Sequence, residues 1–263
     1  MTRTGAAAAQ TEDGPLLVVL GDSFAEGHGD QTGEPSWKGW VPRTAGPLGI
    51  PRDRVRNLGR FGATTREVVD TQLAAAAAAN APLAGVAAGS NDLLRHYSRA
   101  GFERHFTRIL ATLAAADTVL FTFTFPDLPT RLPMPPAVRD VLRPRFEQAN
   151  AFLQQVSADH GAICVDVRRI AGVDDPVSWS DDNLHPSAAG YSSLAGHLHV
   201  LLAEPFSRAR AARLRIASDP SGTIGFGDRL FSVPILRGDD TRPLQLTTPR
   251  TQRSDGAAGE LRT

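Results

Sequence analysis

The chain has 263 residues, 41% of them hydrophobic and 21% charged, which suits one globular domain with an appendage and excludes collagen-like, coiled-coil and wholly disordered chains. Lys and Arg total 28 against 28 Asp and Glu, so no global field draws in nucleic acid or an anionic membrane, and neither is expected as a partner. The single cysteine, Cys164, excludes an intrachain disulfide and a cysteine-built metal site and is compatible with a cytoplasmic location.

Residues 1–14 read as a flexible leader. The apolar run from Ala6 to Ala9 is short beside the roughly 7–15 residue apolar core of a secretory signal, and the acids Glu12 and Asp13 follow it. No stretch reaches the roughly 18 uninterrupted apolar residues of a membrane span. From residue 16 short β-branched or apolar runs alternate with longer helical patterns. Strands are expected at 16–20, 54–58, 83–88, 119–125 and 162–167, and helices near 37–48, 65–79, 102–115, 137–160 and 187–203. Parallel crossovers need a dozen or more residues and are usually helical. The alternation therefore predicts a doubly wound α/β domain over residues 15–205, a five-stranded parallel sheet with helices on both faces.

The segment 126–144, after the fourth strand, carries Leu128, Leu132, Met134, Pro135 and Pro136. It reads equally as a connecting loop packed on the next helix or as an apolar, proline-stiffened wall of a substrate pocket. On the second reading Leu128, Leu132 and Met134 bind substrate. From Pro205 the composition turns Arg-rich and then polar, so 206–263 read as a C-terminal extension, partly disordered or docked, with short strands at 230–236 and 243–247 the most it could form. Its protein partner, if any, is left open.

The chemistry-bearing residues sit where strands end. Gly21-Asp22-Ser23 follows the first strand, Gly59-Arg60-Phe61-Gly62-Ala63-Thr64 the second, and Gly89-Ser90-Asn91-Asp92 the third. Gly-Asp-Ser by itself is an ordinary turn with helix-capping residues. The later loops change the odds, because open α/β sheets bind ligands at the carboxyl ends of their strands. Beyond the fifth strand comes Asp181-Asp182-Asn183-Leu184-His185-Pro186. A serine hydroxyl becomes a nucleophile when an imidazole, oriented by a carboxylate, removes its proton, and Ser23, His185 and Asp182 supply those groups.

These four segments resemble the GDSL, or SGNH-hydrolase, family, whose signature Ser, Gly, Asn and His match Ser23, Gly62, Asn91 and His185 in order. The resemblance spans roughly residues 15–200. It implies a flavodoxin-like three-layer sandwich and hydrolysis of a small-molecule carboxylic ester through an acyl-enzyme intermediate. The catalytic residues it implies are Ser23, His185 and Asp182, with an oxyanion hole made by the backbone N–H groups of Ser23 and Gly62 and the side-chain amide of Asn91. The family's spacing selects Asp182 over Asp181 as the triad acid. No cofactor and no metal are expected, since no second histidine stands at ligand spacing. The competing readings are an acyltransferase on the same fold and a catalytically silent binding or scaffold protein.

Asp22 and Asp92 are expected to hold loops. His28, His96, His105, His160, His197 and His199 lack an acid or nucleophile in matching context, and His28 is expected to be an exposed loop residue. Cys164 reads as a small buried hydrophobe, Trp37 and Trp40 as packing residues, and Trp179 as close enough to Asp182 to line a pocket.

Overall fold

The structure is a computed structural model that describes residues 14–32, 34, 37–95, 97–115, 117–218, 223–226 and 229–232. Residues 1–13 of the expected leader (1–14) and His96 lie outside the described residues. In chain order the elements are β1 (Leu17–Gly21), α1 (Ser23–Glu26), α2 (Trp40–Ala45), β2 (Val55–Asn57), α3 (Thr65–Thr71), α4 (Leu73–Ala79), β3 (Leu83–Ala87), α5 (Ser90–Leu94), α6 (Arg99–Leu113), β4 (Val119–Phe123), α7 (Leu128–Arg131), α8 (Pro136–Asp159), β5 (Ile163–Val165) and α9 (Ala188–Ser218). The five strands form one parallel sheet in the order β2-β1-β3-β4-β5.

Why these runs become central strands is visible in β1. Successive side chains point to opposite faces, and here Val18 and Leu20 enter one apolar core while Leu17 and Val19 enter the other. A strand covered on both sides must be apolar at every position, and all five residues of β1 and of β3 are buried. One core takes Val68, Leu73, Phe102, Phe106, Ile109, Phe146 and Leu153 from α3, α4, α6 and α8. The other takes Trp40 and Val41 from α2 and Tyr191, Leu194, Leu198, Leu202 and Phe206 from α9. Among the described residues no helix is long and apolar enough to cross a membrane.

Three expectations shift. The helix expected over 65–79 is two helices meeting at Gln72, whose buried side chain is turned onto the end of β1. Most of the loop expected over 126–144 is helical, in α7 and the first turns of α8. The last helix does not stop near 203: Pro205 lies inside α9, Phe206 and Ala209 are buried, and Arg213 bonds the Asp117 and Ala81 carbonyls, the Thr118 hydroxyl and Asn80. The first compact unit accordingly runs to Arg215 and the second covers 216–263. Within the second, β6 (Thr223–Phe226) pairs antiparallel with β7 (Arg229–Ser232), so a strand does begin near 230. Positions 233–236 and 243–247 lie outside the described residues.

Candidate active site

Strand β1 connects to β2 on one side of the sheet and its neighbour β3 connects to β4 on the other. The crevice beyond their carboxyl ends is thus the topological switch point, where open α/β sheets place ligands. Gly21 ends β1 with φ 150°, and a Cβ there would lie 1.9 Å from the Ala87 carbonyl oxygen of β3, so the position admits only glycine. Both backbone groups of Gly21 are taken by Gln72, whose Oε1 accepts from the Gly21 N–H at 2.8 Å and whose Nε2 donates to its carbonyl at 2.9 Å. Asp22 caps α1 by accepting from the Phe24 N–H at 2.9 Å and takes the Ser90 hydroxyl at 3.1 Å. Complete burial pushes its carboxyl up to about 6, against the pull of those two bonds. Ser23 follows as the first residue of α1, 6% exposed.

The Ser23 Oγ lies 2.7 Å from His185 Nε2, and His185 Nδ1 lies 2.6 Å from Asp182 Oδ2. His185 is 5% exposed. Burial alone would raise the Asp182 carboxyl. Hydrogen bonds from the His185 N–H and ring, the Leu184 N–H and the Ser180 hydroxyl outweigh it and hold the group well below the usual carboxylate range. The turn carrying both residues is pinned by the antiparallel bridge of Trp179 with Pro186, by Ser180 N–H to the His185 carbonyl and by Ser187 N–H to the Ser178 carbonyl, each 2.9 Å. Asp181 is exposed beside it.

Gly62 has φ 74°, a left-handed conformation that glycine adopts freely. Its loop is held by the Arg60 N–H on the Gly21 carbonyl at 3.1 Å and by the Thr64–Glu67 capping box. Asp92 ties the next residue, taking the Thr65 N–H at 2.9 Å and its hydroxyl at 2.6 Å, the loop-holding role expected of it. Asn91 Nδ2 donates to the Ala63 carbonyl at 3.1 Å, which orients its amide. Among the described residues the Ser23 and Gly62 N–H groups donate to no protein acceptor.

A cavity of about 860 Å³, part of it open to solvent, begins at Ser23 and His185 and is walled by Phe123, Phe125, Ile170, Val173, Trp179 and Leu194 among others. Leu128 lines it as well, whereas Leu132 packs against one of the cores and neither it nor Met134 is part of the lining. Trp179 is held by its Nε1–H on the Val173 carbonyl at 2.7 Å and carries the Arg131 guanidinium 3.8 Å above its ring. Trp40 is wholly buried beneath the nucleophile turn, its Nε1–H on the Phe24 carbonyl. Cys164 is half-buried in β5, and burial raises its thiol.

His28 departs from expectation. It is half-buried, its ring centroid 4.5 Å from that of His185 and 4.8 Å from that of Phe61. Burial, then the neighbouring His185, lower its basicity. A second histidine does therefore stand near the first, and ligating atoms of His28, Asp182 and His185 lie within 4.8 Å of one another. Zinc sits about 2.0–2.2 Å from each nitrogen or oxygen ligand, and the 2.6 Å between His185 Nδ1 and Asp182 Oδ2 leaves no space for an ion between them. That pair has the geometry of a hydrogen bond. His28 was invisible in the sequence because no motif joins it to His185; Gly27 and Gly29 on either side were the available signal.

The model of the GDSL-like lipase/acylhydrolase family matches residues 19–192. Among solved structures, a lipase/acylhydrolase from Enterococcus faecalis is 22% identical, with 76% of this chain and 95% of that one covered and a TM-score of 0.53. LAE5, an alpha/beta hydrolase enzyme from the metagenome of Lake Arreo, is 21% identical, with coverages of 75% and 95% and a TM-score of 0.54. A catalytic mutant of an acetylxylan esterase from Geobacillus stearothermophilus is 18% identical, with coverages of 73% and 92% and a TM-score of 0.53. These likenesses carry the fold. No curated protein matches the sequence.

Proposed function

The chain belongs to the GDSL-like lipase/acylhydrolase family, and from that premise we propose that it hydrolyses carboxylic esters through an acyl-enzyme formed on Ser23. The observation that carries the assignment of residues is the unbroken relay from Ser23 Oγ through His185 to Asp182, with links of 2.7 and 2.6 Å. Asp182, kept ionised by its four donors, accepts from Nδ1–H and leaves Nε2 free to take the serine proton. As Oγ bonds to the carbonyl carbon, the proton passes to Nε2 and negative charge develops on the carbonyl oxygen. The N–H groups of Ser23 and Gly62, which have no other acceptor among the described residues, and the Asn91 amide meet that charge. Collapse of the intermediate breaks the ester C–O bond, and the imidazolium returns its proton to the departing alcohol. Water then attacks the acyl-serine with His185 again as base, releasing the carboxylic acid.

The apolar cavity beginning at Ser23 suits the acyl chain, and small to medium acyl groups are its substrates on this reading, with Leu128 in the wall. The compartment we infer is the cytoplasm, on the single free thiol. Two measurements test the proposal together. A fluorophosphonate probe labels Ser23 and leaves Ser23→Ala unlabelled, and p-nitrophenyl esters from acetate to laurate are cleaved only by the unsubstituted protein. Val173→Phe, which fills part of the cavity, shifts preference toward acetate, whereas Met134→Asp leaves the chain-length profile unaltered. Folded protein that neither labels nor cleaves any ester would sink the proposal.

A further inference from the structure

We propose that His28 and Phe61 form the leaving-group side of the site, an aromatic shelf for an alcohol that carries a flat ring. The inference rests on the ester-hydrolase reading and adds to it the class of alcohol. When the tetrahedral intermediate collapses, the proton that reaches the departing oxygen comes from His185 Nε2, so the alcohol must lie within hydrogen-bond reach of that atom. Neither His28 nor Phe61 lines the apolar cavity, yet both pack against the catalytic imidazole. Their ring centroids lie 4.5 Å and 6.2 Å from that of His185, and 4.8 Å from each other.

Phe61 immediately precedes Gly62 and is 56% exposed. A lone exposed apolar residue is ordinary. This one packs, tilted by 56°, against a ring that touches the general acid, and its exposed part is open to whatever leaves. His28 is held there by its backbone. Gly27 and Gly29, on either side, have φ of 89° and 91°. A Cβ on Gly27 would come within 2.6 Å of the Lys38 carbonyl oxygen, and one on Gly29 within 2.5 Å of that of Pro186. The hydroxyl of the fully buried Tyr191 donates to the His28 carbonyl at 2.7 Å. Clamped between the Lys38 and Pro186 backbones, the segment keeps the His28 backbone at the mouth of the site. Two adjoining rings favour a third flat ring over a flexible alkyl chain, because ring contacts, tilted or edge-on ones included, add to simple area burial.

The test compares benzyl acetate with n-hexyl acetate, esters whose alcohols are similar in size and acidity and whose acyl part is the same. The ratio of their kcat/KM values should favour benzyl in the unsubstituted protein and fall about fivefold in Phe61→Leu, the size of one lost ring contact, while Phe61→Tyr retains it. A ratio that is the same in all three proteins, or that Phe61→Leu keeps and Phe61→Tyr loses, overturns the shelf. Failure of the unsubstituted protein to turn over either ester, with Ser23 unlabelled by the fluorophosphonate, overturns the hydrolase reading instead.

Discussion

Asn91 uses one amide hydrogen on the Ala63 carbonyl and has its second available for the oxyanion. Its loss should therefore touch the transition state far more than the fold. Asn91→Ala is expected to lose about 10²–10³ in kcat with little change in KM and an unaltered thermal midpoint, checked by steady-state kinetics and a melting curve. Asp22 makes a different prediction, because its burial acts on stability. With the folded-state carboxyl near 6 against an ordinary value of 3.8, the native state binds a proton that the unfolded chain has released between those two values. Its contribution is then fully present below about pH 4 and lost as pH rises through about 6. Asp22→Asn has no such titration. The stability of the unsubstituted protein relative to the variant should fall by about 3 kcal/mol from pH 4 to pH 7, measured by urea unfolding of both across that range. A constant difference would refute the assignment. At this scale Ser23, Gly62, Asn91, Asp182 and His185 could be named as candidates because each sits in a short local pattern. His28 and Phe61 were not, because what joins them to His185 is contact between loops far apart in the chain.

Two buried amides do for the strands what a neighbouring strand does elsewhere in a sheet. Gln72, between α3 and α4, closes on both backbone groups of Gly21 at the end of β1. Asn150, on α8, does the same for Phe125 beyond the end of β4, accepting from its N–H at 2.7 Å and donating to its carbonyl at 2.9 Å. The Gly21 N–H and both groups of Phe125 have no other backbone partner among the described residues, while the Gly21 carbonyl also takes the Arg60 N–H, so the amides satisfy groups that the sheet leaves open. Gln72→Leu keeps the volume and leaves the buried Gly21 N–H without an acceptor, while the carbonyl keeps the Arg60 N–H, and it should cost about 1–3 kcal/mol of stability. It should also lower kcat, since Gly21 sets the turn that presents Ser23; urea unfolding and ester turnover on one preparation would show both. The sequence suggested five strands and their intervening helices, because apolar runs at every position and stretches of 3.6 periodicity need no partner to be seen. It suggested neither amide clamp, since a polar residue on a helix carries no mark of which distant peptide it will meet.

For the whole molecule the question is where the catalytic unit ends. Composition placed the end near 205, since the text there turns Arg-rich and a proline intervenes. Pro205 is instead carried within α9, which continues to bury Phe206 and Ala209 and brings Arg213 to the loops before β3 and β4. A chain ending at Ser218 is expected to keep ester turnover within about twofold of the full chain. One ending at Pro205 gives up an aromatic anchor and the Arg213–Asp117 pair, and should lose on the order of 5 kcal/mol; denaturant midpoints and turnover of the two truncations would decide. The sequence by itself determined the class of fold and the candidates for the reacting groups, because hydrophobic period and short motifs are local properties that survive without coordinates. Tertiary structure alone decided the 2.7 Å approach of residues 23 and 185, the walls of the cavity that begins there, the ring of His28 beside that of His185 and the reach of the last helix. Each of these depends on distances between segments that the chain order leaves open and that only the closing of the sheet and the packing of its two faces bring to a value.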